Sequence, residues 1–204
     1  MNNFFKTLLT LRVALVALLL SFTAIGVSGI KGEAEIVPVV SKRNVSNKED
    51  LSSWKKFHSV TGKCVVSFPG TPEHVKQTMN LEDDEYNMQY DVYVATEQDK
   101  QAVYMVLIAQ YPPYVNESYA ELSLESFLNG ILTQHPNNQL VFADLTEVQG
   151  HKAMDFFIKT KGVFFKGRAI MAGSNLYLLA MECEGENFKE NQFKYFIDSF
   201  ELTK

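Results

Sequence analysis

Residues 150–184 read "GHKAMDFFIKTKGVFFKGRAIMAGSNLYLLAMECE". Three runs of about ten residues, rich in apolar and aromatic side chains that alternate with others, are punctuated at Gly150, Gly162 and Gly173-Ser174-Asn175. Period-two alternation between glycine-bearing turns marks strands joined by tight connections. Neighbours joined so briefly must run antiparallel, because parallel neighbours need a long crossover. This stretch therefore decides the fold: it is an antiparallel meander.

Working outward, "QLVFADLTEV" (139–148) supplies a further strand just before Gly150. Upstream, "KCVVSF" (63–68) is short, apolar and β-branched, and Pro69-Gly70-Thr71-Pro72 ends it. Two of those four residues lack an N–H, so the corner is a strand terminator rather than a phosphate cradle. "EHVKQTMNL" is a more polar strand of edge character, and Glu82, Asp83, Asp84 and Glu85 form a solvated hairpin tip. "YNMQYDVYVAT" alternates as a half-buried strand, "QDKQ" turns the chain, and "AVYMVLIAQY" (102–111) is continuously apolar, as a central strand covered on both faces is.

Between these groups the period changes. Tyr119, Leu122, Leu124, Phe127, Leu128, Ile131 and Leu132 recur every three or four residues, with Ser118 and Glu121 spaced as a capping box and Pro136-Asn137 as the stop. At the end of the chain Phe188, Phe193, Phe196, Ile197 and Phe200 mark a second helix, with Asn187 as its N-cap. The expected class is α+β: one antiparallel sheet flanked by two main helices.

The first thirty residues do not belong to that body. "MNNFFKTLLTLR" carries Lys6 and Arg12 and no acid, and is followed by the uncharged run "VALVALLLSFTAI" and the small residues "GVSG". This order is that of a secretory signal peptide. Thirteen residues at about 1.5 Å each reach roughly 20 Å, short of a bilayer core of roughly 30 Å. The expected organisation is a signal peptide over 1–29, a spacer over 30–56, with Trp54 and Phe57 marking where the chain docks, and the α+β domain over 57–204. An uncleaved leader would instead anchor the protein in the inner membrane.

Net charge is −5, and removing Lys6 and Arg12 with the leader makes it −7. An acidic exported domain disfavours nucleic acid and anionic lipid as partners, since both need a basic surface. Only Cys64 and Cys183 are present. Export permits a disulfide between them, and their apolar surroundings equally suit two small buried thiols.

The residues that carry a family resemblance are now all in view. They are the aromatic lead-in Trp54 and Phe57, "GKCVVSFPGTPE", the helix after "YPP", "GHKAMDFF", the hairpin "GRAIMAGSNLYLLAM" with Arg168 and Tyr177, and the closing "FIDSF". Over residues 57–202 the chain resembles the PsbP-like domain family, which also includes a nuclear Ran-GTPase-binding factor and bacterial DcrB-type exported proteins. The resemblance implies a mostly non-enzymatic binding or accessory protein. Its motifs are turn residues and core aromatics, so it implies no catalytic group and no cofactor.

The residues themselves offer few chemical sites. His58, His74, His135 and His151 are scattered singly, without the convergence that a zinc site needs. The acidic tip lacks the spacing of a calcium loop, and no serine sits in a nucleophile elbow. Tyr111, Tyr114 and Tyr119 beside the Pro112-Pro113 corner, with Phe164 and Phe165, form the candidate partner-binding set, since aromatics of this kind line protein-binding grooves. The expectation is an exported binding protein whose partner is another envelope protein or a small ligand. The alternatives are an exported hydrolase with carboxylates gathered from separate strands and a membrane-tethered envelope component.

Overall fold

The computed structural model describes residue 51 and residues 53–80, 87–97 and 102–203. The leader, most of the spacer, the acidic tip at 82–85 and the turn at 98–101 lie outside these residues. The elements are β1 (Lys55–Ser59), β2 (Cys64–Phe68), β3 (Glu73–Asn80), β4 (Asn87–Glu97), β5 (Ala102–Gln110), α1 (Ala120–Thr133), β6 (Gln139–Val148), β7 (His151–Thr160), β8 (Val163–Ala172), β9 (Asn175–Glu184), α2 (Glu190–Asp198) and β10 (Glu201–Leu202).

These form two sheets, not the one expected. A seven-stranded antiparallel sheet has the order β3-β4-β5-β9-β8-β7-β6, and a three-stranded sheet has the order β1-β2-β10. The large sheet is two hairpin meanders, β3–β5 and β6–β9, joined where β5 pairs with β9. Both joining strands are apolar along their length and almost wholly buried, as central strands with two covered faces must be. Pro69-Gly70 is the corner at which the chain leaves the small sheet for the large one.

Tight turns set the register of the second meander. Gln149 and Gly150 have φ of +53° and +83°, and Lys161 and Gly162 have +46° and +84°. Two successive positive φ values define the two-residue turn whose twist matches its strands. Gly150 and Gly162 adopt this conformation without the steric cost that a side chain imposes.

Each face of the large sheet builds a core. On one, α1 buries Leu124, Phe127, Leu128 and Ile131 against β4, β5, β9, β8 and β7. On the other, α2 and the small sheet bury Val66, Phe68, Phe193 and Phe196 against Tyr104, Val106, Leu179 and Met181.

Three local expectations need correction. The spacer boundary at 56 falls inside β1, while Trp54 is buried where the chain is expected to dock. Ser118 is not the cap of α1: Asn116 accepts its N–H at 3.0 Å and caps a 3-10 turn, Glu117–Tyr119, that leads into the helix. Asn187 closes another 3-10 turn, and α2 begins after Lys189, which makes no side-chain cap.

Candidate functional site

The five expected partner-binding aromatics do not form one patch. Tyr111 is buried in the α1 core, and burial pushes its hydroxyl pKa up. Phe165 is buried there too. Tyr114 and Tyr119 are more than half exposed beside α1, where Glu117, Leu122, Glu125 and Lys152 line a shallow depression. Phe164 points to the opposite sheet face from its neighbour Phe165, as alternation requires, and is half-buried.

Around Phe164 the fold leaves a partly exposed surface at the margin of the second core. α1 lies over β6, β7 and β8 on one side, whereas α2 packs against β2 and β9 on the other. On that second side the core buries Ala153 and Ile170, and the start of α2 reaches β8 through Lys166, whereas the rings of the outer strands nearer the Gly162 turn stay partly exposed. Rings from three strands and the approach to α2 line this surface: Phe142 to Phe157 at 6.1 Å, Phe157 to Phe164 at 5.1 Å and Phe157 to Phe188 at 6.0 Å between centroids. All four are half-buried.

Cations lie among these rings. Lys159 Nζ stands 5.5 Å from the Phe157 centroid and 5.0 Å from that of Phe164. Lys166 Nζ lies over Phe142, Phe188 and Phe193, and donates to both oxygens of Glu190 at 2.7 and 2.8 Å. Arg168 holds Asp155 in a two-point pair, Nε to Oδ1 at 2.6 Å and Nη2 to Oδ2 at 2.7 Å. That pairing raises the guanidinium pKa against the opposing effect of burial.

One carboxylate pair meets here, Asp144 opposite Asp155 across β6 and β7. Both Asp155 oxygens are engaged by Arg168, so this pair is not poised for acid–base work. Elsewhere His74 Nε2 bonds Asp91 Oδ1 at 2.7 Å and its ring stacks on Tyr93 at 4.5 Å, while Tyr93 and Ser59 hydroxyls meet at 3.1 Å. Asp91 on β4 and Asp155 on β7 are four strands apart, roughly 20 Å, too far to share a substrate bond.

Cys64 and Cys183 are free, buried thiols, not a disulfide. Cys64 lies two residues from Gly62, whose carbonyl accepts the Tyr177 hydroxyl at 3.0 Å. Cys183 is six residues beyond Tyr177 along β9, roughly 20 Å away, and a disulfide needs Cα atoms within about 7 Å.

Sequence reasoning named Phe164 and passed over Phe142, Phe157, Phe188, Lys159 and Lys166. The signal was present: Phe157 and Lys159 alternate on β7, as Phe164 and Lys166 do on β8. Once Lys161-Gly162 is taken as the turn, the facing pairs are Lys159–Phe164, Phe157–Lys166 and Asp155–Arg168.

The chain is similar in structure to cyanobacterial PsbP from Synechocystis, with a TM-score of 0.52 at 9% identity over 78% of this chain and 98% of that one. A Pseudomonas aeruginosa protein of unknown function matches with a TM-score of 0.33 at 8% identity, over 66% of this chain and 85% of that one. A Bacteroides thetaiotaomicron protein matches at 0.36 and 12%, over 74% of this chain and 49% of that one. No family model and no curated protein matches the sequence. The fold is PsbP-like.

Proposed function

We propose, on the premise of a PsbP-like fold, that this chain is an exported, non-catalytic binding protein that takes a protein partner on the half-buried aromatic surface of β6, β7 and β8 beside α2. The observation that carries this reading is the half-buried ring cluster Phe142, Phe157, Phe164 and Phe188 with Lys159 across it. Stems of lysine shield such rings from water in the free protein and can move aside for another surface. Among the described residues Lys159 lies over two rings and makes no ion pair, so a partner segment presenting carboxylates beside apolar side chains matches it in charge and polarity.

The test is affinity capture from the native envelope using the exported protein, whose intact mass also reports whether residues 1–29 are removed. Wild type and Val75→Glu, on the far edge of the sheet, are expected to retain the same partner. Lys159→Glu is expected to weaken its capture at least tenfold, the order of one well-placed interfacial contact. Equal capture by all three, or capture by none, defeats the reading.

A further inference from the structure

The two edges of the large sheet are built differently. β3 is polar and carries His74 and Lys76, the sort of charged edge that discourages an added strand. β6 has ten residues without Lys, Arg or Pro, and its Leu140, Val141 and Leu145 are 45%, 47% and 49% exposed. Its turn into β7 is the two-residue type closed by Val148 and His151. In such a hairpin the closing pair exchanges both backbone bonds, and bonded pairs then alternate along the ladder. The N–H and C=O groups of Ala143, Leu145 and Glu147 consequently point away from β7, out of the sheet edge. The register shift between Leu140 and Phe142 limits the regular stretch to the residues after it.

We propose that β6 pairs antiparallel with β6 of a second copy about a two-fold axis at Leu145, joining two seven-stranded sheets into one. This inference concerns the strand edge and does not rest on the partner reading of the adjoining face. Leu145 then meets its own copy, Ala143 faces Glu147, Asp144 faces Thr146 and Phe142 faces Val148. The three outward-facing residues of each copy all find backbone partners, and no carboxylate directly opposes another. Glu147 keeps Lys152 as its neighbour on β7, and each Asp144 gains a facing hydroxyl. The adjacent allowed registers are worse: one sets Asp144 against Asp144, and the other sets Leu145 against Glu147. Like charges directly opposite destabilise a ladder. The strand is thus complementary to itself in one register, which selects a second copy over an unrelated strand.

Sedimentation equilibrium of the protein, purified in the form the cell accumulates, is expected to show a concentration-dependent dimer. Leu145→Lys places two like charges at the axis and is expected to raise the dissociation constant at least a hundredfold, with an unchanged circular dichroism melt at dilutions where wild type is also monomeric. Val75→Lys on the β3 edge is expected to leave it alone. For the register, the double variant Asp144→Cys with Thr146→Cys is expected to form a disulfide-linked dimer on mild oxidation. Residues facing across a non-hydrogen-bonded pair have Cα atoms about 4.5 Å apart, within disulfide reach. Asp144→Cys alone is expected to stay monomeric on a non-reducing gel. A monomer at every concentration, or a dimer indifferent to Leu145→Lys, overturns the proposal, and cross-linking through Asp144→Cys alone overturns the register.

Discussion

Gly167 lies midway along β8, where no turn calls for a glycine. A Cβ there would come within 2.6 Å of Phe156 Cζ and 3.0 Å of the Leu179 carbonyl oxygen. Phe156 is fully buried, with its ring 6.4 Å from Phe127 and 5.7 Å from Phe165, so it cannot swing aside. Gly167→Ala is expected to destabilise the fold by about 1–3 kcal/mol, the usual cost of overpacking, although alanine in a strand is otherwise the better residue. At Gly70 an added Cβ meets nothing within 4 Å, so Gly70→Ala is expected to change stability little. Urea midpoints compared at constant slope measure both, and a neutral Gly167→Ala would show that the β8 ridge is not closely packed. The same residue scale explains the mixed outcome for the candidate aromatics. Alternation correctly places Phe164 and Phe165 on opposite faces, but residue type alone does not distinguish a ring buried beneath α1 from one left half-buried on the other face.

Among the elements, β1 and the two-residue β10 are the strands that pattern alone does not reveal. "KKFHS" holds a single large apolar residue, and it is a strand because it pairs with β2 from Lys55↔Phe68 to Ser59↔Cys64. Trp54 enters that strand buried, with its ring 5.0 Å from Tyr104 and 5.3 Å from Tyr195. Trp54→Ala is expected to cost about 3–5 kcal/mol, as deletion of a large buried aromatic does, and β1 is expected to lose its anchor with it. Trp54 is the only tryptophan in the chain, so wild-type fluorescence should shift to the red in one step on unfolding. A stability loss below about 1 kcal/mol would detach the lead-in from the core. The helices show the reverse case. Their apolar spacing is local, and α1 ends at Thr133, shortly before the predicted stop at Pro136-Asn137, beyond which Asn138 Nδ2 donates to the Ile131 carbonyl at 2.8 Å. Their starts were misplaced because the capping residues belong to 3-10 turns, whose presence depends on how the chain leaves the preceding strand.

At the scale of the whole molecule, the two thiols report on how the halves are assembled. Burial pushes Cys64 up to about 12 and Cys183 up to about 11 from a reference of 9.0. Both pKa values are higher in the folded state, so the native protein holds these protons more tightly than the unfolded chain. Stability from this source is complete below about pH 9 and is lost as pH rises toward 11 and 12. Unfolding free energy measured in steps from pH 8 upward should fall across that range, and a disulfide reagent at pH 8 should find two thiols only after denaturation. Rapid reaction of both in the native state would refute their burial. By itself the sequence determined the strands of both meanders, the two helices, the antiparallel sense and the PsbP-like resemblance, because hydrophobic period and turn chemistry are local properties that survive in one dimension. Only the tertiary structure decided that β5 joins β9, that β1, β2 and β10 form a separate sheet, and that the rings of β6, β7 and β8 beside α2 stay half-buried. Those outcomes follow from which apolar surfaces cover one another, and covering is a relation between segments that can be more than a hundred residues apart.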